Sequence, residues 1–298
     1  MVGLTLSTEV CQSQPLTGGW EGSLRGNVEQ PPSAAATPAR APVPHPPALP
    51  SISKTNLILI GTVHGDPGGY CRAWRLLQHL QPELVTVEIS HFSVRYRQKR
   101  QAHWRRLFTQ ALRELPPGAA RHLAIRRVEA QIVLPFEYLV ARDFCGQRGL
   151  GLELLDIGGL ARRHLPRYSR ELLSPQNLQA LLETPDGSFT DSVAREFHRA
   201  RRQSGRPAWR FSGPDLEQMQ RREKWLALRL RKLAAGGRRL AHLGGWEHLV
   251  PWQDGGGLPS LLADRQPVRL LLDEADGLDD QEYWCVKRTL HWTQRISG

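Results

Sequence analysis

Leu57-Ile58-Leu59-Ile60-Gly61-Thr62-Val63-His64 and Leu84-Val85-Thr86-Val87-Glu88-Ile89 decide the fold. Each opens as an unbroken apolar run, too short for a buried helix, and the first stops at a glycine. That is the pattern of a strand covered on both faces, as in a parallel sheet. Between them, Gly68-Gly69 precede apolar residues at helical spacing (Trp74, Leu77, Leu80), and Pro82 closes the segment. Strand, helix, strand is a βαβ unit, so the two strands are expected to be parallel neighbours.

Reading outward, Leu152–Asp156, Leu240–Gly244 and Val268–Leu272 repeat the strand pattern. An arginine-rich helix is expected from His91 to Leu115. A second runs from Ala119 to Cys145, broken at Pro135 and capped by Gly146. Residues 160–211 are polar and helical in character, with starts at Ser174-Pro175 and Thr190-Asp191. Met219, Leu226, Leu230 and Leu233 share one face of a helix spanning Asp215–Leu233, with Pro214 in its first turn and Gly236-Gly237 at its end. The expected architecture is α/β: a largely parallel sheet flanked by helices, with a helical insertion between the third and fourth strands.

Residues 1–52 read differently. Proline and alanine dominate from Gln30 to Pro50, which favours an extended tether over a folded unit. Residues 53–298 are then one domain. No stretch reaches the ~18 apolar residues of a membrane span, and Met1-Val2-Gly3-Leu4 lacks the pattern of a secretory signal, so a cytoplasmic protein is expected. Cys11, Cys71, Cys145 and Cys285 are scattered, which speaks against a zinc site or a disulfide framework; Cys71 and Cys145 read as small packing residues. The net charge of +11 is almost all arginine. Its densest run, Arg95, Arg97, Lys99, Arg100, Arg105 and Arg106 with Tyr96 and Trp104 interleaved, has no nucleic-acid fold motif around it. A solvated helical face is expected there, and no nucleic-acid partner.

Chemistry gathers at two turns: Gly61-Thr62-Val63-His64 after the first strand and Gly245-Trp246-Glu247-His248 after the fourth. G-x-x-H is a common pattern in a chain with 27 Gly and 11 His; position gives these two their weight. In open α/β sheets ligands bind beyond the carboxyl ends of strands, and a glycine permits the sharp exit toward that crevice. Glu88 ends an apolar strand, where an unpaired carboxylate is costly, and strand ends at 62 and 88 side by side would bring it to His64. Glu137, Asp156 and the Arg222-Glu223 pair are further candidates, each also readable as a capping or solvated charge.

Five blocks in order then resemble the TraB/PrgY family of the TraB/Tiki-like, erythromycin-esterase-like superfamily. They are Leu59-Ile60-Gly61-Thr62-Val63-His64, Gln81-Pro82-Glu83-Leu84-Val85-Thr86-Val87-Glu88, and Glu137-Tyr138-Leu139-Val140-Ala141 with Leu154-Leu155-Asp156. Arg222-Glu223-Lys224-Trp225-Leu226-Ala227 and Ala241 to His248 complete the set, which covers residues 55 to 250. The resemblance implies an active centre of His64, Glu88 and His248, supported by Glu137 and Arg222. In some members a divalent metal sits there, which would make His64, Glu88 and His248 ligands of Mn²⁺, Co²⁺ or Zn²⁺. The chain departs from the pattern at Arg221, Glu223 and Leu226, and lacks the serine usually found after the first histidine, in Gly65-Asp66-Pro67-Gly68-Gly69. The expected activity is hydrolysis of an amide or ester bond, in a peptide or an ester substrate, with or without metal. The alternative is a catalytically inactive binding or regulatory protein on the same fold.

Overall fold

The computed structural model describes residues 55–204, 216–253 and 255–278. The Pro/Ala-rich segment 1–52, the helix start at Pro214-Asp215 and the acidic run 279–282 lie outside them.

Five parallel strands form one sheet: β1 (Leu57–Thr62), β2 (Leu84–Val87), β3 (Gly151–Leu154), β4 (Leu240–Gly245) and β5 (Val268–Leu271). Their spatial order is β3-β2-β4-β1-β5. The expected adjacency of β1 and β2 is therefore corrected. Leu240 of β4 pairs with Leu57 on one side and Leu84 on the other. Leu240, Ala241 and Leu243 have no solvent exposure, so the strand that follows the long helical insertion takes the centre. An apolar run identifies a buried strand but does not order it among its equals.

The helices are α1 (Gly69–Leu80), α2 (His91–Leu112), α3 (Leu123–Gln131), α4 (Phe136–Arg148), α5 (Gly159–His164), α6 (Pro175–Leu181), α7 (Phe189–Ser204), α8 (Leu216–Ala234) and α9 (Leu258–Leu261). The insertion between β3 and β4 thus holds α5 to α8, as expected. Three boundaries differ. The helix expected from Ala119 to Cys145 is interrupted over 132–135, because its turn begins before the proline. It ends at Gly149, whose φ of 65° closes the helix in the left-handed conformation, while Gly146 lies inside it. Helix α7 starts at Phe189, ahead of Thr190, where the Ser188 hydroxyl accepts the Asp191 N–H at 3.2 Å. Ser174 caps α6 as expected, accepting the Asn177 N–H. Cys71 is disulfide-bonded rather than a simple packing residue. Cys145 is a buried free thiol, pushed up to about 11 by burial, which suits packing and not nucleophilic attack.

Two cores divide the apolar residues. The larger surrounds the sheet and includes Leu76 and Leu77 of α1, Phe136 and Phe144 of α4, and Leu226 and Leu230 of α8. Burying each such side chain is worth roughly 1.5–3 kcal/mol. The smaller joins Trp104 and Phe108 of α2 to Ile125 and Val128 of α3 and to Leu172, Leu173 and Leu178 of the insertion. This second core resolves the basic run. Arg95, Lys99, Arg100 and Arg106 face solvent, whereas Trp104 is buried and donates its indole N–H to Ser169 Oγ at 3.2 Å. Arg97 turns inward to the carbonyls of Gln131 and Val133. Trp104 is therefore a packing residue and no surface for a base. No helix of the described residues is long and apolar enough to cross a membrane.

Candidate active site

Because all strands run parallel, the residues after β1, β2 and β4 emerge at one sheet edge. The register pairs Thr62 with Gly245 and Val87 with Leu243, so β4 stands between His64 and Glu88. Their meeting depends on Gly244 and Gly245. A side chain on Gly244 would begin 2.9 Å from Glu88 Oε2 and 3.1 Å from His242 Nε2. One on Gly245 would begin 2.9 Å from Glu247 Oε2, 3.6 Å from His64 Nε2 and 3.8 Å from His248 Cδ2. Any Cβ at Gly244 would displace groups from the site. Two glycines in succession are what let side chains from both flanks converge over the central strand.

On the β1 flank, His64 Nδ1–H donates to Glu137 Oε1 at 2.7 Å. The same oxygen accepts the Thr62 hydroxyl at 2.9 Å, with the Gly244 carbonyl as that hydroxyl's second acceptor at 3.1 Å. Glu137 is 3% exposed in its side chain, His64 49%. A buried carboxylate in the first turn of α4 thus grips one ring nitrogen, and Nε2 lies on the side of Gly245. Burial lowers the imidazole's proton affinity, but Glu137, by charge and hydrogen bond, and then Glu88 and Glu247 outweigh it and raise the group to about 9. His64 is protonated at neutral pH. The turn behind it is fixed by Asp66, whose carboxylate accepts the Gly68 N–H at 2.9 Å and pairs with Arg72 at 2.7 Å; Arg72 also holds Asp276 beyond β5.

On the β4 flank, His248 is closed in. Its Nδ1 bonds Glu223 Oε1 and its Nε2 lies 2.6 Å from Glu88 Oε1. Glu223, with no exposure, accepts the Leu258 N–H on its other oxygen at 2.9 Å. Burial opposes a charged imidazole here, yet Glu223 and Glu88 hold His248 well above its ordinary value. Glu88 also takes Arg222 Nη2 at 2.5 Å and the Gly245 N–H at 3.1 Å. Burial pushes its carboxyl up, and Arg222 and His248 more than reverse that, keeping it well below the usual carboxylate range. Arg222 reaches on to Asp156 Oδ1 at 3.0 Å, and Asp156 Oδ2 accepts the Gly158 N–H. Two cations sit among three carboxylates, each satisfied by the next, which is the condition under which buried charge is tolerated.

All five expected residues, His64, Glu88, His248, Glu137 and Arg222, therefore assemble at this edge, with Asp156 joining them through Arg222. The metal reading of His64, Glu88 and His248 finds no support in the arrangement. A ligand must turn a lone pair to the metal, and both ring nitrogens of His248 are turned to carboxylates, Glu223 and Glu88. Glu88 Oε1 is already shared by Arg222 and His248. Among the described residues no three of His, Cys, Asp or Glu are arranged to hold a metal ion.

Glu223, a candidate together with Arg222, joins the site, and three further residues belong to it. Glu223 occupies the interior face of α8, and the spacing Met219, Glu223, Leu226, Leu230 announces it as a charge on the apolar stripe. Thr62 and Glu247 lie inside the two G-x-x-H turns. His242, 2% exposed, accepts from the Thr86 hydroxyl through Nδ1 at 2.9 Å, and its Nε2 has no hydrogen-bond partner. Burial holds it down to about 4; Glu88 opposes this, while His248 and Arg222 reinforce it. It is a neutral ring behind Glu88. Only its place in a strand buried on both faces signalled it.

Comparison with family models, with curated proteins and with solved structures finds no match in any of the three.

Proposed function

We propose that this sheet edge hydrolyses an amide or ester bond without a metal, with His64 as the proton-transferring group and Glu137 as the carboxylate that orients it. One observation carries the reading. His64 is half exposed, is gripped at Nδ1 by a buried carboxylate, and carries its Nε2 on the side of Gly245. A fixed ring with one free nitrogen at a sheet's carboxyl edge is the arrangement general acid–base catalysis needs. Protonated at neutral pH, His64 serves as the acid that delivers a proton to the departing amine or alcohol as a water molecule adds to the carbonyl, and the proton which that water gives up returns the ring to its charged form. The network of Glu88, Arg222, His248 and Glu223 forms the rigid wall behind it. The resemblance to TraB/Tiki-like enzymes supports the same reading, since its five blocks supply these residues.

A second reading, a non-catalytic binding protein on this fold, is favoured by the closure of His248 between two carboxylates. One experiment separates the two. Chromogenic esters and anilides are assayed with the native chain, His64→Ala and Glu137→Gln, with and without chelator, and metal content is measured. The expected result is turnover that resists chelation and falls about 10²–10⁴-fold in His64→Ala. Turnover abolished by chelator, with stoichiometric metal missing from a His64→Ala, His248→Ala double variant, would replace the metal-free mechanism with a metal-dependent one. Saturable ligand binding with no turnover would establish the binding protein.

A further inference from the structure

Away from the site, the cations of α2 differ from those on the other long helices. Residues 91–113 hold Arg95, Arg97, Lys99, Arg100, Arg105, Arg106 and Arg113, and no Asp or Glu. Arg95, Lys99, Arg106 and Arg113 recur at helical spacing, which sets them on one side of the helix. All four are exposed, and the opposite side, with Trp104, Phe108 and Ala111, is closed into the second core. The stripe they form is about 27 Å long. Arginines elsewhere find a carboxylate: Arg142 meets Asp143, Arg201 meets Asp273 and Arg231 meets Asp264. None of the four stripe cations makes an ion pair among the described residues. Glu129, on the neighbouring α3, pairs with Arg126 instead, at 3.7 Å.

No nucleic-acid fold motif surrounds this run, and a charged helical face is ordinarily no more than solvated. A second observation sets this face apart: its flank carries guanidinium groups already held in place. Arg162 of α5 lies over the Phe92 ring, 4.6 Å from its centroid. The Phe92 and Tyr96 rings are 5.3 Å apart, and Arg100 lies over Tyr96 at 5.9 Å. Cations stacked on ring faces lose less freedom when they meet a phosphate. We propose that this face of α2, with Arg162 beside it, binds the phosphate backbone of double-helical nucleic acid without reading its sequence. Charge complementarity selects a polyanion. Phe92 and Tyr96 are taken up by arginines and by each other, so the face is not built to stack the unpaired bases of a single strand. A duplex keeps its bases inside and presents phosphates. A bilayer fits worse, because surface binding there takes an exposed apolar flank. The exposed large apolar side chains of the described residues, Ile157, Trp225 and Leu228, stand on other elements. Hydrolysis at His64 and duplex binding at α2 are independent, and either can fail alone.

The test measures binding of the full chain to a fluorescent mixed-sequence DNA duplex, the matching RNA duplex and a single strand, across a salt series. Vesicles of phosphatidylserine and phosphatidylcholine form a further arm. A duplex should bind with a Kd of about 10⁻⁴–10⁻⁶ M near physiological salt, whatever its sequence, and more tightly than the single strand. Binding of either duplex supports the proposal, and the tighter of the two identifies the form. The Arg95→Gln, Lys99→Gln, Arg106→Gln variant should bind about tenfold or more weakly, with the salt slope reduced by about one per cation removed. The Lys224→Gln, Lys232→Gln, Arg238→Gln variant removes the same charge from other exposed positions and should change affinity less. Both variants should unfold in urea as the native chain does, so that lost binding is not lost fold. Equal losses in the two would trace binding to net charge and overturn the site. Tighter binding to the single strand, binding to vesicles but to no duplex, or no salt-dependent binding at all would overturn it too.

Discussion

The two Gly-x-x-His turns share a spacing, end adjacent parallel strands and place their histidines at one edge, yet they make opposite sites. His64 keeps half its side chain in solvent and one carboxylate partner; His248 keeps 9% and has two. What differs is the element packed above each. The turn after β1 stays open and is braced from behind by α4. The turn after β4 winds into a 3-10 helix, Trp246–Leu249, and α8 brings Glu223 directly over it. A motif places a residue at an edge, and the neighbouring helix then decides whether that residue acts or is held.

The comparison is most sharply broken at Glu223. Replacing it with alanine leaves the Nδ1–H of a buried imidazolium and the Leu258 N–H unanswered, and the expected loss is about 3–5 kcal/mol of stability by urea unfolding. A loss under 1 kcal/mol would show that His248 is not held as described. Next in size, His64→Ala should cut turnover at least about a hundredfold while costing less stability than Glu223→Ala, because this ring is half exposed. If stability falls as far as in Glu223→Ala, the two histidines are alike after all.

Titration sharpens the contrast further. His64 is raised from 6.5 in the unfolded chain to about 9 in the folded one. The stability it contributes is complete below pH 6.5 and is lost as pH climbs through about 9. Glu88 behaves in mirror image: depressed below 4.5, it contributes above that pH and the contribution fades as acid is added. Imidazole NMR should place the His64 midpoint near 9 and lower in Glu137→Gln; an unshifted midpoint in that variant would remove Glu137 as its partner. The smallest effect belongs to Thr62→Val, which deletes one hydrogen bond to Glu137 without changing shape. About 1 kcal/mol is expected.

β1, β2 and β4 were legible because burial along their whole length writes a mainly apolar run, and β3 and β5, only partly buried at the two edges of the sheet, from shorter apolar patterns that a charge interrupts. Their order was not, since β4 carries no mark that distinguishes a central strand from its neighbours. His64, Glu88 and His248 were readable from their places at strand ends, and Glu137 from the resemblance. Arg222 had little local signal: nothing in α8 says that Glu88 and Asp156 lie within its reach. Glu223 was readable as one half of the Arg222-Glu223 pair, and a carboxylate on the apolar stripe of a helix has to be answered by a cation.

The central position of β4 has a consequence for how the chain acquires its structure. β1 and β2 are made early, but the strand that joins them begins at Leu240, after the whole helical insertion has been synthesised. Until then two apolar strands wait with their inner edges unpaired, in contacts of large sequence separation that form slowly. Such edges are templates for pairing with other chains. A nascent chain halted before Leu240 would therefore be prone to aggregation and would have no site, whereas a few residues more join β1 to β2 through β4 and bring His248 to Glu88 in the same step.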